Sequence, residues 1–242
     1  MAYSVANTRK KHIVFRKALL KIMAAKDKSK KFTYIDFNSG AGIGFLLFDS
    51  YVRDKEVVNS SFEVITECIR QKRNASVYLI DNNKEVILSL KENLKSYYRA
   101  YNIECRGPEF IIKDEEFEIS VTVFHEKNVD AVKKIREMID PNDVGFIYAD
   151  PIGAVHNSEK CFNCFEKFYG LDLLAHYSET NKDRFFHNTR INKKNNCRTM
   201  NDIERDSKRK YKYTMGIISR AVQNYSFFFA TNEEYSVVSE QS

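Results

Sequence analysis

Short apolar runs alternate with amphipathic stretches along most of this chain, and that alternation constrains its fold more than any other feature. Phe32–Phe37 (FTYIDF), residues 76–81 (SVYLID), Glu118–His125 (EISVTVFH), residues 144–150 (VGFIYAD) and Leu171–Ser178 (LDLLAHYS) read as strands. Residues 62–71, 82–98, 129–139 and 158–169 carry helical spacing between them. Strands separated by helices of about 10–15 residues imply βαβ units and a mostly parallel sheet. Two further runs, residues 215–219 and Tyr225–Thr231, read as closing strands. Ahead of the first strand, Ile13, Val14, Ala18, Leu19, Leu20, Ile22 and Met23 recur at helical spacing, so residues 10–27 are expected to form an amphipathic helix. The 242 residues suffice for one substantial core and are expected to form a single α/β domain spanning 1–242.

No apolar run approaches the roughly 20 residues of a membrane-spanning helix. The first residues are basic and lack the continuous apolar stretch of a secretory signal, so a cytoplasmic protein without membrane association is expected. The five cysteines, at irregular spacing, read as reduced thiols. Cys161 and Cys164 have the spacing of half a zinc site, but no second such pair follows, so they are read as core thiols and no metal is expected.

In a parallel α/β sheet ligands bind beyond the carboxyl ends of the strands. The first strand carries Asp36 and runs into Asn38-Ser39-Gly40-Ala41-Gly42-Ile43-Gly44. Glycines there let the chain turn tightly and let a ligand approach the backbone. Phe45 stands where a dinucleotide fingerprint needs its third glycine or alanine, which disfavours a pyrophosphate ligand and a dehydrogenase. The second strand ends in Asp81-Asn82, where a carboxylate suits the two hydroxyls of a ribose; the alternative is a helix cap. The third ends in a stretch where Glu126 or Asn128 suits an adenine amine or, equally, caps the next helix. The fourth ends in Asp150-Pro151-Ile152-Gly153. A proline there holds the loop rigid and aims Asp150 toward an acceptor amine; the alternative is an ordinary strand-to-helix turn.

YIDFNSGAGIG, SVYLIDNNKEVILSLKENL and GFIYADPIG together resemble the class I S-adenosylmethionine-dependent methyltransferases. More narrowly they resemble the three-Cys-motif partner proteins of phages and mobile elements. The resemblance covers about residues 32–153 and more faintly YSFFFATN. It implies a Rossmann-like class I methyltransferase fold, with a central mostly parallel sheet and helices on both faces. It also implies S-adenosyl-L-methionine as cofactor, held by Asp36, Asn38, Gly40, Gly42, Asp81, Asn82, Glu126 and Asn128. Asp150 and Pro151 fall at its catalytic positions. Asn38 replaces a phenylalanine and Asn59-Ser60-Ser61 replaces glycine-serine-proline of that family, and Ile152-Gly153 stand where amino-methyltransferases of DNA carry a second proline and an aromatic. The last removes the ring that stacks on a flipped base, leaving Tyr148, His156 or Phe162 to supply one.

The formal net charge is +6. Residues 181–213 hold 11 Lys and Arg against four acids, which suggests that the rest of the chain is near neutral. With Phe185, Phe186, Tyr211 and Tyr213 interspersed, this insertion is the expected nucleic-acid surface, through Lys193, Lys194, Arg198, Lys208, Arg209, Lys210 and Lys212. The sequence thus points to a methyltransferase acting on a nucleic-acid base amine. The alternative is a non-catalytic partner protein that keeps the cofactor fold within a mobile-element system.

Overall fold

The computed structural model describes residues 5–46, 55–149, 168–178, 211–218 and 225–234. Among them, β1 (Phe32–Phe37), β4 (Ala75–Asp81), β7 (Glu118–His125), β8 (Val144–Ala149) and β9 (Leu171–Ser178) form a parallel core in the spatial order β7-β4-β1-β8-β9. This is the doubly wound order, in which the chain starts at the centre, builds outward to one edge, and returns to build toward the other. The reversal falls between β1 and β8, so a crevice opens at their carboxyl ends. β11 (Tyr225–Thr231) runs antiparallel beside β9, and β10 (Tyr213–Ile218) pairs outside it. The sheet has the Rossmann-like class I methyltransferase topology.

Period-two alternation places two cores on the two faces. Phe32, Tyr34, Val77, Leu79, Phe146 and Tyr148 face one side, under α1 (Val5–Ala25), α2 (Ser60–Arg70) and α3 (Lys84–Tyr97). Ile35, Phe37, Tyr78, Ile80, Ile147 and Ala149 face the other, against α4 (Asn128–Met138) through Ala131, Val132 and Ile135. Strands buried on both faces explain why their sequences read as near-continuous apolar runs.

Gly145 shows how tightly β8 lies against β1. A Cβ there would stand 1.9 Å from the carbonyl oxygen of Thr33. At the amino ends of the strands, Lys26 closes α1 with a fully buried ammonium that donates to Asp172 at 3.0 Å and to Glu233 at 2.8 Å. That cluster ties the first helix to β9 and to the residues after β11.

Some boundaries differ from the sequence reading. α1 begins at Val5, before the expected residue 10, because the apolar periodicity of the sequence starts only at Ile13. Two hairpins were not anticipated: β2 (Ile43–Leu46) with β3 (Lys55–Val58), and β5 (Asn102–Arg106) with β6 (Glu109–Lys113) at the sheet edge beside β7. β5 has no buried residue, so its sequence lacks the apolar run that marks the inner strands. Its turn places Gly107 at φ 64°, a left-handed conformation suited to glycine.

Candidate functional site: a cleft at the switch point

The site grows out of β1. Asp36 is 1% exposed, and its Oδ2 accepts hydrogen bonds from the Tyr34 hydroxyl at 2.7 Å and from the Ser60 and Ser61 hydroxyls, each at 2.9 Å. A buried carboxylate needs such donors to stay folded in. They pin the start of α2 against β1. Burial, then the neighbouring Asp36 carboxylate, push the Tyr34 phenol well above its ordinary range, so it remains a donor. Asp36 was expected to bind the cofactor; its Oδ2 serves the protein's own hydroxyls.

Past Phe37 the chain turns through three left-handed residues: Asn38 at φ 69°, Gly40 at φ 65° and Gly42 at φ 84°. Asparagine tolerates this region better than most side chains, which accounts for Asn38 as a departure from the family motif. Asn59 stitches the loop together. Its backbone N–H donates to the Gly42 carbonyl at 2.8 Å, its side-chain amide donates to the Ser39 carbonyl, and its Oδ1 caps α2 through the N–H groups of Ser61 and Phe62. Asn93 on α3 donates to the Ala41 carbonyl at 2.8 Å. Gly42 abuts Phe62 so closely that an added Cβ would lie 2.1 Å from Cε2 of the ring.

On one side of this loop lies a cleft of about 270 Å³, lined by Asn38, Ser39, Gly40, Ala41 and Gly42, by Asn59 and Ser60, by Tyr148, and by Lys11, His12 and Phe15 of α1. Tyr148 is buried and packs edge-on against Phe15 at 4.8 Å. It therefore closes the cleft floor and does not offer the open stacking ring considered from sequence. His156 and Phe162 lie outside the described residues.

On the other side stand the acids and amides expected to meet an adenosine. Asp81 Oδ2 accepts the Gly40 N–H at 3.3 Å, and Oδ1 accepts the Asn83 N–H at 2.9 Å. Asn83, not Asp81, caps α3. Each carboxylate oxygen has two lone pairs, so both retain capacity for a hydroxyl donor. Asn82 is exposed beside it. Asn128 begins α4 and its side-chain N–H donates to Asn38 Oδ1 at 3.4 Å, bringing two of the expected residues together. Glu126 makes an ion pair with Lys134, and Lys127 occupies the N-cap position of α4 without a side-chain cap bond.

β8 ends at Ala149, level with Phe37 and Ala175 at the carboxyl edge. Asp150 and Pro151 follow directly in sequence and lie outside the described residues, as do Lys193, Lys194, Arg198, Lys208, Arg209, Lys210, Cys161 and Cys164. Lys212 is described. Its N–H donates to Asn232 Oδ1 at 3.3 Å, next to the start of β10. β10 is four strands from β1, about 19 Å at 4.8 Å per strand. Tyr213 also pairs with Thr231, at the end of β11 where the parallel strands begin. Residues 179–210 thus link the carboxyl edge of β9 to the amino edge of β10, and Lys212 stands away from the cleft.

Sequence reasoning missed Lys11, His12, Asn59, Ser60 and Asn93. Asn59-Ser60-Ser61 was noticed only as a departure, although a polar triplet before a helix is a capping signal.

No family model matches the chain, and no curated protein matches it. Solved structures do. Protein LPL1258 from Legionella pneumophila superposes with a TM-score of 0.52 at 14% identity, over 92% of this chain and 84% of that one. Human methyltransferase-like protein 13 in complex with SAH gives 0.48 at 7% identity, over 96% and 84%. A SAM-dependent methyltransferase from Methanosarcina mazei gives 0.44 at 12% identity, over 86% and 94%. The Legionella likeness, at 14% identity, speaks for the fold, in agreement with the strand order and the position of the cleft.

Proposed function

We propose that this protein is an S-adenosylmethionine-dependent methyltransferase that methylates a base amine of a nucleic acid. The observation that carries the reading is the division of the switch-point crevice by the Gly40–Gly42 loop: a cleft with two basic residues on one side, a ribose-competent carboxylate on the other. The donor set fits that cofactor. Asp81 has acceptor capacity for a ribose diol. Asn128 and Glu126 border the adenine side. Ser39, Gly40 and Gly42 offer close backbone approach, and Lys11 and His12 suit the carboxylate of an amino-acid moiety. When bound, the cofactor supplies an electrophilic methyl group on a sulfonium.

The chain's own residues do the rest. Asp36 holds α2 and β1 together so that Asn59 keeps the loop in its left-handed turns. Tyr148 and Phe15 exclude water from the cleft floor. Asp150, next to the end of β8, accepts a hydrogen bond from the acceptor amine, orients its lone pair, and takes up the proton released on methylation.

The other reading is a non-catalytic partner in a mobile-element system. Asn38 was one ground for it, and the left-handed φ with the Asn128 bond gives that residue a structural reason compatible with activity. Calorimetry with S-adenosylmethionine, then radiolabelled transfer to RNA and DNA with wild type and Asp150→Ala, decides. The proposal expects micromolar-range binding by both proteins and transfer by the wild type alone. Cofactor binding without transfer to any nucleic acid favours the partner reading, and a folded protein that binds no cofactor refutes the methyltransferase reading.

A further inference from the structure

We infer that the outward face of α1 is a phosphate-binding track that leads a nucleic acid to the cleft. The inference rests on the nucleic-acid reading above, but on different residues. No acid occurs before Asp27, while Arg9, Lys10, Lys11, Arg16, Lys17, Lys21 and Lys26 all precede it. Seven basic residues without an acid match the excess carried by the 181–213 insertion, so the remainder of the chain is acidic on balance, not neutral as expected.

The helix sorts these charges. Phe15, Ala18, Leu19, Ile22 and Met23 are buried against α2 and the sheet. At about 100° per residue the opposite side carries Ile13, Lys17, Leu20 and Ala24, flanked by Arg16 and Lys21. Lys17 is exposed, and Arg16 keeps 64% of its side chain in solvent despite an ion pair with Glu63 at 3.9 Å. Glu63 and, further along α2, Glu67 face Arg16, while Lys17 and Lys21 carry the remaining positive charge of this side. Lys11 and His12, on the same helix, line the cleft. From Lys11 to Lys21 the helix rises about 15 Å, room for about four nucleotides at 3.4 Å each. Lys11 and His12 lie more than about 100° around the helix from the centre of that outward face, so a strand lying along α1 reaches the cleft by wrapping around the amino-terminal part of the helix, whereas Lys212 of the insertion stands about 19 Å to one side of β1.

Charge complementarity favours a polyanion, and two features favour nucleic acid over a lipid surface. The continuous apolar side of α1 is already consumed by the core, while a membrane-surface helix needs it for lipid. What stays exposed is isolated Ile13 and Leu20 among basic residues, a pattern that tolerates phosphates and allows apolar contact with sugars and bases.

The test compares wild type with Arg16→Gln/Lys17→Gln/Lys21→Gln and with Lys208→Gln/Arg209→Gln/Lys210→Gln/Lys212→Gln. A short fluorescent single-stranded RNA and the matching duplex DNA are titrated over a range of salt. Polyglutamate and phosphatidylserine vesicles serve as competing polyanions. The α1 variant is expected to lose roughly tenfold or more in affinity and to flatten the log–log salt slope by roughly 2–3. Its melting temperature and its calorimetric affinity for S-adenosylhomocysteine should match wild type. A wild-type slope in a folded α1 variant overturns the inference, as does failure of the wild type to bind either nucleic acid. Binding of polyglutamate or vesicles as tight as that of RNA, lost in the same variant, overturns the choice of nucleic acid. Failure to bind S-adenosylhomocysteine refutes the methyltransferase reading while leaving the salt slopes to decide this one.

Discussion

Replacing Gly42 with alanine should damage both stability and the cofactor site, by an amount the local geometry sets. Gly42 has φ 84°, where an L side chain is strained by about 1–2 kcal/mol. Its new Cβ would stand 2.1, 2.7 and 2.9 Å from three atoms of the Phe62 ring. That ring is fully buried, with Tyr97 at 5.3 Å and Tyr98 at 5.5 Å, so it has little room to retreat. Overpacking of this kind costs about 1–3 kcal/mol more. The expected total is about 2–5 kcal/mol, or about 4–20 °C in melting temperature for a chain of this size. Gly40 and Gly107 provide internal standards. Both have positive φ, but an added Cβ meets Asn59 Nδ2 only at 3.8 Å in the first and nothing within 4 Å in the second. Their alanine variants should show the strain alone. The assay is thermal and urea unfolding of the three variants, with S-adenosylhomocysteine calorimetry on each. Gly42→Ala should weaken ligand binding, and Gly107→Ala, on the distant β5–β6 turn, should not. Combining Gly42→Ala with Phe62→Leu should cost at least about 1 kcal/mol less than the sum of the singles. A Gly42→Ala protein that melts with Gly107→Ala, or strict additivity with Phe62→Leu, refutes the close-packing argument.

Asp81→Ala should weaken cofactor binding by about 1.5–3 kcal/mol, and a slight drop in melting temperature should accompany it because the Gly40 and Asn83 N–H groups lose their acceptor; unchanged affinity by calorimetry removes Asp81 from the site. Lys26→Met strands the buried Asp172 carboxylate and should cost about 3–5 kcal/mol in urea unfolding, partly recovered by adding Asp172→Asn; a single variant as stable as wild type shows that the pair is dispensable. Burial pushes the Cys68 thiol up to about 12 from 9.0. The neutral native form is thus favoured, so this contribution is intact below pH 9 and is lost as pH rises from 9 toward 12, at up to about 1.4 kcal/mol per pH unit. Urea midpoints at pH 8 and 10 should fall more steeply for wild type than for Cys68→Ala, and equal steepness counts against it.

The parallel core was legible because burial on both faces leaves a coarse mark, namely runs such as Tyr34-Ile35 and Leu79-Ile80 in which neighbouring residues serve opposite cores. β9 and β11 fall at the residues expected of them. The hairpins left no such mark. β5 exposes Asn102, Cys105 and Arg106, and its pairing with β6 depends on the turn at Gly107 and on the partner strand, not on any apolar period of its own. α1 was legible as an amphipathic helix, but its periodicity says which side is buried and nothing about what it is buried against.

That limit explains the residues missed at the site. Lys11 and His12 stand at the margin of the apolar side of α1, where a sequence offers no reason to prefer solvent or a ligand. They gain meaning only because α1 packs beside β8 and brings them to the Gly40–Gly42 loop. The same holds for Ser60 and Ser61. Locally, Asn59-Ser60-Ser61 is a helix cap, and Asn59 does cap α2. That both hydroxyls reach back to Asp36 follows from the crossover that sets the start of α2 over the end of β1. Asp36 then falls into a role its motif position did not announce. A carboxylate enclosed by three hydroxyls fixes the frame on which the glycine loop turns, and Asp81 completes that frame from the next strand. In the proposed site the ligand meets groups with lone pairs or charge at the cleft, so a substitution at Asp81 or Lys11 should act on binding more than on folding, and one at Asp36 should act on folding as well.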